Sequence, residues 1–509
     1  MAVQGRRLAL LAGVGLVVSG LLHGPVLADD LRGALVAAYN TNPALQSARD
    51  TQRATDETVP IARADGLPAA NVSANETEYL KQSVILSSSG ARRLLTVGGS
   101  LTVPLYSGGA VRGAIKAAET RVAAGKAGLR GSESTLFSQV VAGYMDVILG
   151  EAVVRLNQAQ VQTLQANLQV TKDRFQIGDL TRTDVAQSQS RLALAQGQLR
   201  GAQANLAAGR EQYIQLVGMP PVDLAAPPPL PGLPADPDGA VAIALDSNPD
   251  LIAARDRSKA ARIDVSTAGA SRLPRLSLFA DTLYGNYFGS LKITGLSAGA
   301  AALPQSGSTA DVGLRATIPL YQGGRPAAQL RQAQAREGAT LEDEIGAERS
   351  VISQVRAAYS SWQAANSIIG STQTAVDAAR LSLEGVRAEN SVGNRTVLDI
   401  LNAEQELVSA EEQLATARRN AYVAGFTLLA AMGKAEARDL GLDGGALYDP
   451  DVHYRAAKAT IWDWGSDPAP AARATRTVDT PVQDGAIPIS DSPPGSAGTG
   501  SGSSYAPTR

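Results

Sequence analysis

The chain contains no cysteine. That excludes disulfides, thiol chemistry and the sulfur-linked lipid anchor of a lipoprotein. Large aromatic side chains are scarce, with five Phe and three Trp among 509 residues. Such a chain lacks filler for a wide globular core, where Leu, Ile, Phe and Met normally take up the volume. Histidine occurs only at His23 and His453, so no His-based metal cluster is available. No phosphate-binding glycine pattern is present, and nothing orients a Ser or Asp with a base. We therefore expect no enzyme, no cofactor and no metal. Neither charge sign dominates: the net charge of -2 offers no footprint for nucleic acid. What the chain has in quantity is alanine, together with 50 glycines. Small residues suit helices whose backbones approach closely.

Residues 1–28 read as a signal peptide. Arg6 and Arg7 precede the apolar run Leu8 to Leu22, and Val26-Leu27-Ala28 places small residues where a signal peptidase cuts. Asp29 is then the mature start, and His23 leaves with the leader. The apolar run is short for a span of about 20 residues. No later stretch reaches that length without charges, so we expect an exported chain with no helical anchor.

The mature chain is duplicated. VPLYSGG (Val103 to Gly109) recurs 215 residues later as IPLYQGG (Ile318 to Gly324), and SQVVAGY (Ser138 to Tyr144) recurs as SQVRAAY (Ser353 to Tyr359). At the same spacing Gly178 matches Gly393 and Asp184 matches Asp399. Nearer the start, Asn42-Pro43 matches Asn248-Pro249 and Leu67-Pro68 matches Leu273-Pro274. Repeats of about 190 residues are too long for a solenoid unit and read as two halves of one object. The boundaries are a first repeat over 29–220, a Pro-rich linker over 221–238 and a second repeat over 239–435. A C-terminal segment over 436–465 carries DVHY and the aromatic IWDWG, read as local packing on the helices. The Pro-, Ala-, Ser- and Gly-rich remainder, 466–509, is expected to be disordered.

Each repeat has one element order. A helix comes first, Leu31 to Ala64 or Ala240 to Ala270, followed by two strands. The second strands alternate with period two. In LTVGGSLTVPL the apolar positions are 95, 97, 101, 103 and 105. In ADVGLRATIPL they are 310 to 320 by twos, with Asp311, Arg315 and Thr317 opposite. The first strands are weaker: VSANETEY and RLSLFADTLY. Pro104 and Pro319 are expected to end strands, and Gly108-Gly109 and Gly323-Gly324 to turn the chain into the next helix. That helix runs from Val111 to about Phe175, or from Pro326 to about Glu389, with no internal proline to break it. Some 64 residues at 1.5 Å each span about 96 Å. The following helix has apolar residues every seven positions: Val185, Leu192, Leu199, Leu206 and Tyr213, or Ile400, Leu407, Leu414, Ala421 and Leu428. That spacing implies a coiled-coil seam.

Four strands per chain cannot close a barrel, open sheet edges are not tolerated in lipid, and membrane barrels need at least eight strands. Either several chains pool their strands in a membrane, or a small soluble sheet caps a helical stalk. Periodicity leaves both open. The lack of a helical anchor in an exported chain favours the pooled barrel.

The stretch GNRTVLDILNA (Gly393 to Ala403), the paired VPLYSGG and IPLYQGG, the two Asn-Pro and the two Leu-Pro pairs resemble the TolC-like outer-membrane factor family. Its members are exit ducts of drug efflux and type I secretion machines, and the resemblance covers roughly residues 30 to 435. It implies a mixed α/β membrane protein built as a homotrimer. Each chain would give four strands to one β-barrel of twelve in outer-membrane lipid, above a hollow coiled-coil tunnel in the periplasm. The partners implied are a periplasmic adaptor and an inner-membrane ABC or proton-driven transporter. These would engage hairpin tips at Gly178 and Gly393.

The resemblance also assigns a gate. Inner helix pairs close the tube at the periplasmic tip, through the residues after each tip glycine: Thr183 and Asp184 in one half, Arg395 in the other. Where the family has a supporting Tyr this chain has Asn390. The family's cation-selective acidic rings fall on Asp399 and on the uncharged Asn402. Another account remains for Asp184 and Asp399: a carboxylate in the first turn of a helix is favourable by itself. Two other functions compete with the duct. A periplasmic coiled-coil adaptor or scaffold would have one hairpin beside a compact β domain, and an exported hydrolase would need a catalytic constellation.

Overall fold

The structure, a computed structural model, describes residues 30–81, 91–291, 304–442 and 447–487. The signal peptide and the tail beyond residue 487 lie outside the described residues.

The opening helix expected over 31–64 is divided into α1 (Leu31–Thr41), α2 (Pro43–Asp56) and α3 (Thr58–Ala64). Its counterpart over 240–270 is divided into two helices, labelled α6 (Pro237–Ser247) and α7 (Pro249–Gly269). The Asn-Pro pairs cause the breaks between α1 and α2 and between α6 and α7. Asn42 accepts hydrogen bonds from Ala44 N and Leu45 N, and Asn248 does the same for Asp250 and Leu251. Proline at the first helical position has no N–H to leave unpaired, while it disfavours a helical residue before it. A continuous apolar pattern therefore hides a capped restart.

The four strands form one antiparallel sheet in chain order: β1 (Ala69–Glu78), β2 (Arg93–Tyr106), β3 (Arg275–Asn286) and β4 (Ser306–Thr317). Pro104 lies within β2, not at its end, and marks the irregularity where the register with β3 shifts. Proline cannot donate to the ladder, so a bulge accommodates it. Pro319 lies beyond the end of β4. The register assigns each residue a face. Asn71, Ser100, Asp281 and Asp311 line up across the strands, and so do Ala70, Leu101, Ala280 and Val312.

From the double glycines two helices of 67 residues depart, α4 (Ala110–Gln176) and α8 (Arg325–Ser391). At 1.5 Å per residue each is about 100 Å long. Gly108 and Gly109 have φ of 66° and 88°, and Gly323 and Gly324 have φ of 62° and 78°. A Cβ at Gly108 would also come within 2.7 Å of Leu273. Shorter helices return beside the distal halves, α5 (Arg182–Val217) against α4 and α9 (Val397–Ala431) against α8. Nearer the sheet α7 packs against both long helices.

The main core lies where both repeats meet. Phe137, Val140, Tyr144, Tyr213, Leu251, Val355 and Phe426 belong to one buried cluster. An 18-residue window of α4 is apolar enough by length and composition to cross a membrane; α4 also supplies Phe137, Val140, Val141 and Tyr144 to this core. Equivalent tyrosines of the repeats fix the linker. Tyr144 donates to Ala225 O and Tyr359 to Ala235 O, each at 2.7 Å.

The last helix, α10 (Pro450–Ala459), packs on α2 and α3. Within the stretch 466–487, which composition led us to expect as disordered, Thr475 and residues 483–487 lie against the helices. Glu211 accepts from Gln483 N at 2.9 Å, Arg210 donates to Asp484 O at 2.8 Å, and Gly485 is buried against the Gln203 backbone.

Candidate functional site: hairpin tips and sheet faces

Both hairpins end in the same turn. Gly178 and Gly393 have φ of 84° and 82°, the left-handed region that glycine enters without Cβ strain. The N–H of Asp179 returns to Arg174 O and that of Asn394 to Glu389 O, each at 2.9 Å. An ion pair then crosses each turn with opposite polarity. Arg174 holds Asp179 at 2.7 Å, and Arg395 holds Glu389 at 2.7 Å. Asn390 donates to Arg395 O at 2.7 Å and so braces its own turn.

The next helix opens with a capping box in both halves. The Thr181 backbone and hydroxyl donate to Asp184 at 2.8 and 2.7 Å, and Asp184 N returns to the hydroxyl at 3.3 Å. Thr396 and Asp399 repeat this at 2.9, 2.8 and 3.3 Å. Two orphan amides at each helix start are thereby satisfied. The Thr181 hydroxyl, then its N–H, holds Asp184 below the usual carboxylate range. For Asp399 the Thr396 N–H contributes most, followed by its hydroxyl. Thr183 is exposed on the first turn of α5. Within one chain Arg395 is paired with Glu389 of its own hairpin, and Asp184 is occupied by its cap.

Further from the tip, contacts tie the two hairpins together. Arg191 on α5 donates to Asn402 on α9 at 2.8 Å. Glu404, 3% exposed, accepts from Asn167 on α4 at 3.1 Å and from Arg387 on α8 at 3.0 Å. Glu412 accepts from buried Asn157 at 2.7 Å. A carboxylate among three helices is tolerated because both partners hydrogen-bond it. Sequence reading missed Arg191, Asn167, Glu404 and Glu412. A signal was present: Glu404 lies four after Ile400 and three before Leu407, a seam position that apolar residues normally take.

On the sheet, Arg315 stacks over Phe279 at 4.6 Å from the ring centre, and Asp281 faces Asp311 across the strands. The opposite face exposes Val72, Val97, Leu101, Val312 and Leu314. An uncovered aliphatic face with a polar reverse is the alternation of a strand between lipid and water.

Residues 34–219 and 240–434 match the family described as outer membrane efflux protein. This chain belongs to the outer membrane efflux protein family. Among its relatives, the outer membrane efflux protein BepC of Brucella suis is 33% identical over 456 residues, covering 88% of this chain and 95% of BepC. TolC of Escherichia coli K12 is 30% identical over 290 residues, covering 55% of this chain and 57% of TolC. The same fold occurs in the Campylobacter jejuni CmeC outer membrane channel, with a TM-score of 0.69, 14% identity and coverage of 84% of this chain and 89% of CmeC. It occurs also in Vibrio cholerae VceC, with a TM-score of 0.66, 22% identity and coverage of 79% and 96%. As an outer membrane efflux protein, the chain is an outer-membrane channel of a tripartite export system, with a large periplasmic helical part. It is a conduit and not an enzyme. The adaptor and hydrolase readings fall with that membership.

Proposed function

We propose that three copies of this chain form one exit duct, their sheets pooled into a barrel of twelve strands and their helices into a tube through the periplasm. The observation that carries this is the four-stranded sheet, with two open edges and an exposed aliphatic face. Unpaired edges are costly in lipid, and a closed ring of sheets removes them. The duct hydrolyses nothing. A periplasmic adaptor and an inner-membrane ABC or proton-driven transporter engage the tips around Gly178 and Gly393, and favour an open arrangement by binding it better.

In this reading the closed state is held at two levels. Arg395 of one copy faces Thr183 and Asp184 of the next at the tip. Within each chain, Arg191–Asn402 and the Glu404 cluster hold the hairpins together. Asp399 supplies one acidic ring around the axis, and Asn402 adds no charge to it. Names among the relatives include efflux and alkaline protease secretion. That range supports a passive duct whose cargo is chosen by the inner-membrane partner. The test is the mass of detergent-extracted protein corrected for bound detergent. Three chains are expected, and a monomer with a full β signal would overturn the reading.

A further inference from the structure

Two of the three tryptophans of the chain fall in one short turn, IWDWG, at residues 461 to 465. Ile461 is 70% exposed, Trp462 71% and Trp464 87%. Three large apolar side chains within four residues are left against water. Further along the segment Val478 and Val482 are also exposed, but each stands singly.

The path of the chain places this turn. α4 starts at Ala110, just after β2 ends at Tyr106, so low numbers on α4 lie nearest the sheet. Asp451, at the start of α10, pairs with Lys126, whereas Lys458, near its end, pairs with Glu119 at 2.7 Å. α10 therefore climbs toward the sheet. Glu119 is about 13 Å along α4 from its first residue at 1.5 Å per residue. Arg63, at the end of α3 and shortly before β1, donates to Lys458 O at 3.0 Å. Beyond α10 the backbone is extended at Thr460, then turns where Gly465 N meets Trp462 O at 3.3 Å. After the turn the chain goes the other way. Thr475 lies against Gly218, Gln483 bonds Glu211, and Ile487 O accepts from Gln158 far down α4. The tryptophan turn is thus where the C-terminal segment comes nearest the sheet. The sheet's helix-side rim at that end is itself apolar and aromatic, with Leu105, Tyr106, Ile318, Leu320 and Tyr321 exposed.

We propose that the Ile461–Trp464 turn inserts into the periplasm-facing leaflet of the outer membrane and anchors the C-terminal segment there. The occupant of this patch is phospholipid, at the boundary between headgroups and acyl chains. Tryptophan prefers that depth, because its ring is apolar while its N–H keeps a polar partner. Asp463, exposed between the two tryptophans, would keep a polar side of the turn in water, and Arg63 and Lys458, the latter paired with Glu119, would lie at headgroup level. The exposed apolar and aromatic rim at the same end of the molecule argues for lipid as the cover. The inference rests on the barrel reading for the height of the membrane and goes beyond it by giving the tail its own membrane contact.

The test uses the assembled protein in vesicles of phosphatidylethanolamine and phosphatidylglycerol, with acyl chains brominated near the headgroup. Bromine quenches tryptophan only at close range. The comparison is between wild type and the double variant W462F/W464F. The variant retains Trp362 alone, about 55 Å along α8 from Arg325 at 1.5 Å per residue and so outside the bilayer. Both substitutions are at exposed positions and leave the helices intact. Shallow bromines should quench wild-type emission at least twofold and leave the variant unchanged, and deeper bromines should quench wild type less. Equal response of the two proteins overturns the proposal. So does quenching by aqueous iodide instead of bromolipid, which places the turn in water. Protection of wild type from both quenchers also overturns it, since a neighbouring copy then covers the turn. Conductance of the same vesicles reports separately on the duct, so loss of one result does not imply loss of the other.

Discussion

Asp399 caps α9, and in the proposed trimer it would also charge the constriction, two roles that one substitution would confuse. The two separate because the cap has another half. Thr396→Ala removes the hydroxyl that receives Asp399 N but leaves the carboxylate, and loss of such a cap costs about 1 kcal/mol of helix stability. Faster amide exchange in the first turn of α9 should report it, with cation selectivity unchanged. Asp399→Asn keeps a side-chain oxygen for Thr396 and discharges the ring, so selectivity and block by trivalent cations should fall in planar bilayers. If Thr396→Ala alone alters selectivity, the constriction depends on cap geometry and not on charge. The pH dependence has a definite sign. Hydrogen bonds from Thr396 depress the folded-state pKa of Asp399, so its contribution is present above the unfolded Asp value near 3.9. It is lost only as pH falls through the lower folded value. Selectivity should therefore persist down to about pH 4; loss between pH 5 and 6 would show that repulsion within the ring overrides the cap. Arg395→Ser should raise single-channel conductance by loosening the tip. Its pairing with Glu389 is between exposed groups and adds little stability by itself. Unchanged conductance would move the latch to Arg191–Asn402, where Arg191→Ala is the corresponding probe. The repeat made Asp184 and Asp399 visible in the sequence, but it left the helix-start reading open beside the gate. Glu404 sat at a seam position, a signal that something polar must meet it, but its partners Asn167 and Arg387 lie on two other helices and only the fold brings them together.

Among the elements, those with a strong local signal were legible and those fixed by distant partners were not. Period two in β2 and β4, the double glycines and the proline-free runs of α4 and α8 each carry their own physics. The breaks at Asn42 and Asn248 were also written locally, yet the apolar pattern across them is continuous, and periodicity won over capping chemistry. The tail from 466 to 487 is the opposite case. Its composition has nothing to nucleate structure, and its order comes from Arg210, Glu211 and Gln158 on helices hundreds of residues earlier. Gly485 is the tightest contact of this belt: a Cβ there would collide with the backbone of Gln203, which no side-chain rotation relieves. Gly485→Ala should therefore release the segment around residues 483–487. Amide exchange of Gln483 should rise at least tenfold, and limited proteolysis should cut after residue 475, while α4 and α5 keep their protection. Unaltered exchange would mean that the remaining hydrogen bonds hold the belt without close approach at Gly485.

For the whole molecule, the duplication and the strand count were readable, and together they demanded more than one chain if the strands cross a membrane. What no single-chain pattern supplies is the side of the sheet that meets lipid, because a soluble cap and a membrane barrel share one alternation. The register makes that question experimental. Arg315 shares a face with Phe279, Asp281 and Asp311, and Leu314 shares the other with Leu278 and Val312. If the sheets close into a barrel with water inside, adjacent residues of β4 sit in different solvents. The chain has no cysteine, so Arg315→Cys and Leu314→Cys each introduce one reporter without background. A membrane-impermeant thiol reagent should label Cys at position 315 at least tenfold faster than Cys at position 314 in outer-membrane preparations. Detergent solubilisation leaves apolar chains around the barrel and should preserve much of that difference. Denaturation should abolish it, which controls for intrinsic reactivity. A soluble sheet capping a helical stalk predicts another pattern: both positions are exposed in the single chain and would label at similar rates. Reversed protection would place Arg315 against lipid, where a guanidinium near mid-bilayer costs about 2–4 kcal/mol, and would mean that the sheet closes with its aliphatic face inward. Only the first outcome is compatible with a water-filled duct.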